Sequence, residues 1–321
     1  MVILCWQINI FRITGMAHTL AEPGDLRHGF SFVSGSNRVF GRISGMAATA
    51  RGNVIICDNL ENQLVLIDSN GRYLSHTRTE HKPWDICVDK ESVSYVTFPS
   101  AEKVELFCSD KLLSGGILLP TNSSESYSRP LAIAYCTQKD DIAIAYTMSR
   151  RHGSYLKQNG LSNTSLSCSY MSQRDMEVNL YVSKLHAGNP VKNVHTITER
   201  HIIYFCSANR DTFDYQVCTS GPNRVGMSKT TKIISSSMHS IAIPTLQEPS
   251  DVCSDDHGHV YVSGQYSNNI HRLTEEGVVV DIPLTDRHGI KHPVAMCFSK
   301  DYTKFYVADD WGKSVLVYDV V

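Results

Sequence analysis

Pro249-Ser250-Asp251-Val252-Cys253-Ser254-Asp255-Asp256 continues through Gly258-His259-Val260-Tyr261-Val262-Ser263. Past a polar turn it runs on through Asn268-Asn269-Ile270-His271-Arg272-Leu273 to Glu275-Glu276-Gly277. It reads as three short strands. Asp251 to Cys253 open the unit, Asp256 and Gly258 turn the chain, and His259 to Ser263 alternate apolar and polar. Ser267 to Asn269 then turn it again before Ile270 to Leu273. A single meander of this size buries too little apolar surface to stand alone.

Related units recur on both sides. The first strand of each opens near Ile43, Pro83, Pro130, Asn193, Pro249 and Pro293. A repeat of roughly 40–45 residues with four strands per period predicts an all-β fold, a β-propeller of four-stranded antiparallel blades. The anchors count six blades, and insertions lengthen the third and fourth intervals. Second strands read Asn53-Val54-Ile55-Ile56-Cys57-Asp58, Val93-Ser94-Tyr95-Val96-Thr97, Val260-Tyr261-Val262-Ser263 and Lys304-Phe305-Tyr306-Val307-Ala308-Asp309. Each is followed, across a polar turn, by a third strand such as Gln63-Leu64-Val65-Leu66-Ile67.

The order of turn glycine, Val-Tyr-Val-Ala-Asp-like strand, Asn-Asn turn and further strand resembles the NHL repeat. Ile43-Ser44-Gly45-Met46, Lys82-Pro83-Trp84-Asp85-Ile86-Cys87 and Ser267-Asn268-Asn269-Ile270-His271 resemble the C-terminal propellers of tripartite-motif (TRIM) proteins of the divergent invertebrate type. The resemblance spans about Ile43 to Val321. It implies recognition of substrate proteins for ubiquitin transfer, or of RNA. No Cys- and His-rich RING or B-box pattern and no heptad run accompanies it, so an adaptor or scaffold role is expected rather than ligase activity.

The chain of 321 residues is 42% hydrophobic and 19% charged, ample for a large core. Its 30 Lys plus Arg against 32 Asp plus Glu give a net charge of −2, which leaves no overall basic excess to hold nucleic acid; DNA is not expected as a partner. No run of apolar residues is long enough to span a membrane, and Val2 to Ile13 lacks a basic leader, so a cytoplasmic protein is expected. Residues 1–42 precede the first full repeat and are expected to supply the strand that closes the ring, with 43–321 forming the propeller. A polar insertion at about 149–175 is expected as a surface loop.

The ten cysteines fall inside strand patterns, which argues against a disulfide framework. Cys87, Cys253 and Cys297 stand four residues after an opening proline, where Ala47 and Ala134 occupy the matching places. That places small apolar side chains where the innermost strands converge. Without a Cys-x-x-Cys pair, metal ligation is not expected.

Six-bladed propellers include metal-dependent lactonase-like and lyase-like enzymes, whose ions need donors from several blades. Two residues after the anchors this chain offers Gly45, Asp85, Ala132, Asp251 and Ala295. Asp85 and Asp251 on blades two and five are too few and too far apart for one ion on this reading. No G-x-S-x-G, P-loop or H-E-x-x-H occurs, so neither catalysis nor a cofactor is expected. What remains is the blade-opening face, carrying Arg42, Lys82, Arg129, Lys291 and His292 with Trp84, Tyr266 and Trp311. Basic groups among aromatics suit a protein or peptide partner and, as the alternative, single-stranded RNA.

Overall fold

A computed structural model describes residues 29–118 and 238–321 continuously and, between them, short stretches that are nearly all strand. The insertion expected at 149–175 and the strands expected within residues 2–11 lie outside the described residues. Among the described residues there is no α-helix, and no helix is long and apolar enough to cross a membrane.

The all-β propeller is observed. Its first blade is Ile43–Ala48, Val54–Asp58, Gln63–Ile67 and Tyr73–Arg78, in that order. The second is Ile86–Val88, Val93–Phe98, Lys103–Cys108 and Leu113–Leu118. A penultimate blade comprises Pro249–Ser254, Val260–Gly264, Asn269–Leu273 and Val279–Thr285. The last comprises Ala295–Phe298, Lys304–Asp309 and Ser314–Val320, with Phe30–Gly35 as its outermost strand. Where six blades were expected, four are thus seen in full. Two further four-stranded sheets, one starting at Ser128–Cys136 and the other at Phe205–Arg210, lie between them. The opening of a repeat near Asn193 is corrected: the innermost strand of that sheet is Phe205–Arg210, paired with Phe213–Thr219. A period counted from opening residues misplaces a strand when the preceding insertion is long.

Why these segments are strands follows from what covers them. Val54, Ile55, Ile56 and Cys57 are all fully buried, because blades pack on both faces of each sheet. Outer strands such as Tyr73–Arg78 are mostly exposed. The core is a series of layers between neighbouring blades. One joins the first and last blades through Met46, Ile56, Val65, Ala295, Tyr306 and Val317, and another joins the first and second through Ile55, Leu64, Ile86 and Phe98.

One turn recurs between the innermost and second strands. Its opening residue is Thr49, Asp89, Asp255 or Ser299, and its side-chain oxygen accepts the amide of Asn53, Val93, His259 or Lys304. A left-handed residue completes it: Gly52 and Gly258 at φ 81° and 84°, but Ser92 and Tyr302 at φ 63° and 56°. The last of these turns is one residue longer, closing from Ser299 to Lys304 where the second blade closes from Asp89 to Val93.

Phe30–Gly35 pairs antiparallel with Ser314–Val320. Phe30 packs on Phe305 at 4.9 Å and edge-on to Tyr261 at 5.9 Å. Phe30→Ala should therefore cost about 2 kcal/mol in urea unfolding, whereas Phe32→Ala, at a ring 57% exposed, should stay within about 0.5 kcal/mol. Equal effects would show that the strand is not held by its inward ring.

Candidate functional site

The innermost strands of neighbouring blades lie in contact, Ile43–Ala48 with both Ile86–Val88 and Ala295–Phe298, and Ala295–Phe298 with Pro249–Ser254. The small residues expected there keep a trace of solvent contact: Ala47 9%, Cys87 7%, Ala134 9% and Cys297 9%, against 0% throughout Val54 to Cys57. Cys253 is half-buried. At the opening ends of the innermost strands, Asp85 and Asp251 are each half-buried between buried neighbours.

The two carboxylates occupy matched positions and make matched bonds. Asp85 accepts the amides of Ile86 at 2.8 Å and of Ile133 in the adjoining strand at 2.8 Å. Asp251 accepts those of Val252 at 2.8 Å and of Met296 in the last blade at 2.6 Å. Both bonds across the gap reach a strand just past a bulge or bend at its start, where an amide would otherwise lack a partner. Gly45 leaves room for this: a Cβ there would come within 2.8 Å of the Asp85 Cα and 2.9 Å of its Oδ1.

Burial raises the Asp85 carboxyl to about 7, against the pull of its two amide donors. Burial likewise raises Asp251 well above the usual carboxylate range, and the Asp85 charge adds to the rise. The expectation that these two carboxylates do not bind a common ion is not changed by this: each is engaged by two backbone amides of its own.

On the same face, Asp58 and Asp309 end the second strands of the first and last blades. Asp58 accepts the amides of Gly41 and Arg42, and Asp309 accepts that of Lys291 at 2.7 Å; burial pushes Asp309 to about 7. His292 stacks on Trp311 at 4.2 Å, and Tyr266 meets Trp311 edge-on at 5.5 Å. His292, Trp311 and Asn268 all hold left-handed backbones, and the His292 amide is donated to Asn268 Oδ1.

Of the residues singled out in the sequence, the fold brings Tyr266, His292 and Trp311 together, beside Lys291, whose ammonium lies 4.0 Å from Asp310. Trp84 is only 7% exposed and offers no open stacking face. Arg42 and Lys82 stay at their own blade openings, and the side chain of Arg129 is outside the described residues. At the other ends of the innermost strands the Lys300 ammonium donates to Val88 O at 2.8 Å, a contact the sequence reading missed. The extra residue in its turn is the one signal that sets it apart.

No family model and no curated protein matches this chain. Solved structures do share its shape. A gluconolactonase from Xanthomonas campestris is 11% identical, with a TM-score of 0.63 over 97% of this chain and 99% of its own. Virginiamycin B lyase from Staphylococcus aureus is 15% identical, with a TM-score of 0.59 over 91% and 99%. A calcium-binding protein, regucalcin, from Agrobacterium tumefaciens is 12% identical, with a TM-score of 0.62 over 91% and 95%. At such identities the likeness is one of fold.

These findings correct the resemblance to TRIM-type NHL propellers. The motif that carried it is a blade requirement: a strand buried on both faces, ending in an aspartate that caps the opening of its own blade, as Asp58 and Asp309 do. The expectation of a non-catalytic module for a protein partner or RNA is overturned with it, since propellers of this shape include named enzymes. Within the chain, the basic and aromatic residues on which it leaned are partly consumed in internal contacts.

Among the described residues, those at the opening ends of the innermost strands do not fit a bound cation of the kind regucalcin's description implies. Calcium takes about six to eight oxygens, whereas each oxygen of Asp85 and Asp251 already accepts an amide and the matched positions are Gly45, Ala132 and Ala295. Among the described residues, ligand atoms of three candidate side chains converge only at Asp255, Asp256 and His257, in the turn at the other end of an innermost strand. There burial opposes the Asp255 charge, but the hydrogen bond and charge of His259 outweigh it and hold that carboxyl low.

Two measurements follow. Asp85 holds a proton when folded that it releases when unfolded, so its contribution to stability is whole below its ordinary value of 3.8 and gone above about 7. The stability difference between the parent and Asp85→Ala should therefore shrink from pH 5 to pH 8 in denaturant titrations; a constant difference would show an ordinary carboxyl. Second, Cys57, Cys87 and Cys297 are free and buried while Cys108 is exposed. A thiol reagent should label Cys108 at once and those three only on unfolding; rapid native labelling of Cys57 would contradict the packing between blades.

Proposed function

We propose that this chain is an enzyme, a general acid–base catalyst acting on a small molecule at the opening ends of the innermost strands. The observation that carries the reading is the pair Asp85 and Asp251: matched in position, matched in their hydrogen bonds, half-buried, and both raised by burial, Asp85 to about 7. Carboxyls raised in this way can give and take protons near neutral pH, and the reading assigns one as base and one as acid.

The reaction class that fits is opening of a cyclic ester. Asp85, the carboxyl that ionises first, accepts a proton from water as the water oxygen bonds to the carbonyl carbon. Asp251 gives its proton to the ring oxygen as the carbon–oxygen bond breaks, leaving a hydroxy acid. The pair then exchanges one proton to reset. Gluconolactonase and virginiamycin B lyase, which share the fold, make a lactone-like substrate the first to try. Tyr266, His292 and Trp311 would form an aromatic wall for it, with Lys291 beside them. The reading also takes the sheets starting at Ser128–Cys136 and Phe205–Arg210 as third and fourth of six blades, with 1–42 as a segment preceding a 43–321 propeller. Contacts between successive innermost strands, from Ile43–Ala48 round to Ala295–Phe298 and back, support that closure.

The test is hydrolysis of D-glucono-δ-lactone and γ-butyrolactone by the parent, Asp85→Asn and Asp251→Asn. The parent rate should rise through about pH 7 as Asp85 ionises, and either variant should lose about 10²-fold or more in kcat. A parent without turnover on both lactones would remove the substrate class. Full activity in both variants would remove the pair from the chemistry.

A further inference from the structure

We propose that Thr97 and Ser263 are positioning residues for the pair Asp85 and Asp251: buried hydroxyls that fix each aspartate's main chain and tie it to the neighbouring blade, whose amide its carboxylate holds. The proposal rests on the acid–base reading and deepens it. Behind it stands a pairing of residue types between first and second strands. The ladder partner of Asp251 is Ser263, and the Thr97 amide donates to Asp85 O at 2.9 Å. At the same level of other blades the partners are Gly45 with Cys57, Ala132 with Ala145 and Ala295 with Ala308. Among these pairs a hydroxyl lies opposite both aspartates and opposite none of the small residues.

The Thr97 and Ser263 side chains are fully buried, so their hydroxyls have to be satisfied inside the protein. Thr97 faces both Trp84 and Asp85, since its carbonyl takes the Trp84 amide at 2.9 Å and its amide goes to Asp85 O. That leaves the Asp85 amide without a ladder acceptor. Thr97 Oγ1 accepts it at 3.0 Å and donates its own proton to Leu131 O at 2.9 Å. Two residues beyond Leu131, Ile133 donates the amide that Asp85 Oδ2 accepts at 2.8 Å. One hydroxyl thus clamps both sides of the bond that holds the carboxylate. The penultimate blade does this with two hydroxyls. Ser263 Oγ lies 3.3 Å from Asp251 O and 2.8 Å from Ser250 Oγ, and Ser250 donates to Pro293 O at 2.8 Å. Three residues beyond Pro293, Met296 donates the amide that Asp251 Oδ2 accepts at 2.6 Å. In the second blade Trp84 stands where Ser250 would, so the threonine makes the crossing itself.

A carboxylate is placed by the donor it grips. Without the Thr97 hydroxyl the Leu131 carbonyl loses its tether and the Ile133 amide can move off Asp85. A carboxyl released from a donor that favours its charged form keeps its proton to higher pH. The titratable groups that feel the Asp85 charge are Asp251 and the thiols of Cys57 and Cys87. Burial holds both thiols well above their ordinary value, so neither changes charge near neutral pH.

The experiment is an NMR titration of the folded full-length chain carrying isotope-labelled aspartate carboxyls, with Asp85 identified as the resonance that Asp85→Asn removes. Thr97→Val, which keeps the shape and loses the hydroxyl, should raise the Asp85 midpoint from about 7 by about one pH unit, and Thr97→Ser should restore it. Ser263→Ala should leave that midpoint in place, because its hydroxyl serves the other aspartate. On a lactone, Thr97→Val should lose about tenfold in rate at about pH 7 and regain it at about pH 9 with KM unchanged, a recovery that a merely loosened fold would not show. A folded Thr97→Val with the parental Asp85 midpoint overturns the proposal, as does an equal displacement by Ser263→Ala. If the valine variant does not fold, Thr97→Ala against Thr97→Ser makes the same comparison. Absence of lactone turnover in the parent would remove the acid–base reading alone, since the carboxyl titration decides by itself whether Thr97 positions Asp85.

Discussion

A carboxylate that reaches across the gap between two blades to hold a backbone amide is the contact on which the rest depends. Asp85 holds Ile133 and Asp251 holds Met296. Thr97 reaches Leu131 O and Ser250 reaches Pro293 O in the same gaps, and Ser44 and Asn59 reach Pro83 O between the first and second blades. Apolar layers between blades supply most of the stabilisation but have no direction, and they would tolerate one sheet sliding over another. The hydrogen bonds fix the slide. They also place two carboxylates where water is scarce, so one set of atoms serves both the architecture and the chemistry proposed for it.

That double use explains what could be read in the chain. The strand alternation of Val260 to Ser263 and the four-residue offset from Pro83 to Cys87 follow from local rules, pleat and axial crowding, and both survive in the fold. Asp85 and Asp251 were visible at equal offsets too. What the sequence could not convey was that each reaches across to a backbone amide of the neighbouring blade and is raised by its burial there. Likewise Tyr266, His292 and Trp311 are 45 residues apart at the extremes yet stack, because consecutive blades place their loops side by side. Lys300 is the limiting case. Its partner Val88 is 212 residues away, and in the sequence only a turn one residue longer distinguishes it from Lys90, at the matching place in the second blade.

The family resemblance failed for a related reason. A second strand such as Lys304–Asp309 is covered on both faces, so its composition is set by the stacking of blades, and its closing aspartate is set by the need to cap an opening loop. Such residues are dictated by blade geometry whatever the protein does. Motifs that a fold imposes identify the fold, and function has to be sought in residues that the fold leaves free.

Gly29 and Val321 exchange two backbone hydrogen bonds, at 2.9 and 3.0 Å. The chain thus enters its sheets where it leaves them, and the order in which the blades are written along the gene is arbitrary as far as their packing is concerned. A circular permutant that links residue 321 directly to residue 29 and opens instead at the exposed Lys90 or Glu91 turn would keep every layer between blades. The strand that closes the last blade would then no longer be separated from its partners by the whole length of the polypeptide, and the long-range step that folding must otherwise wait for would become a local hairpin.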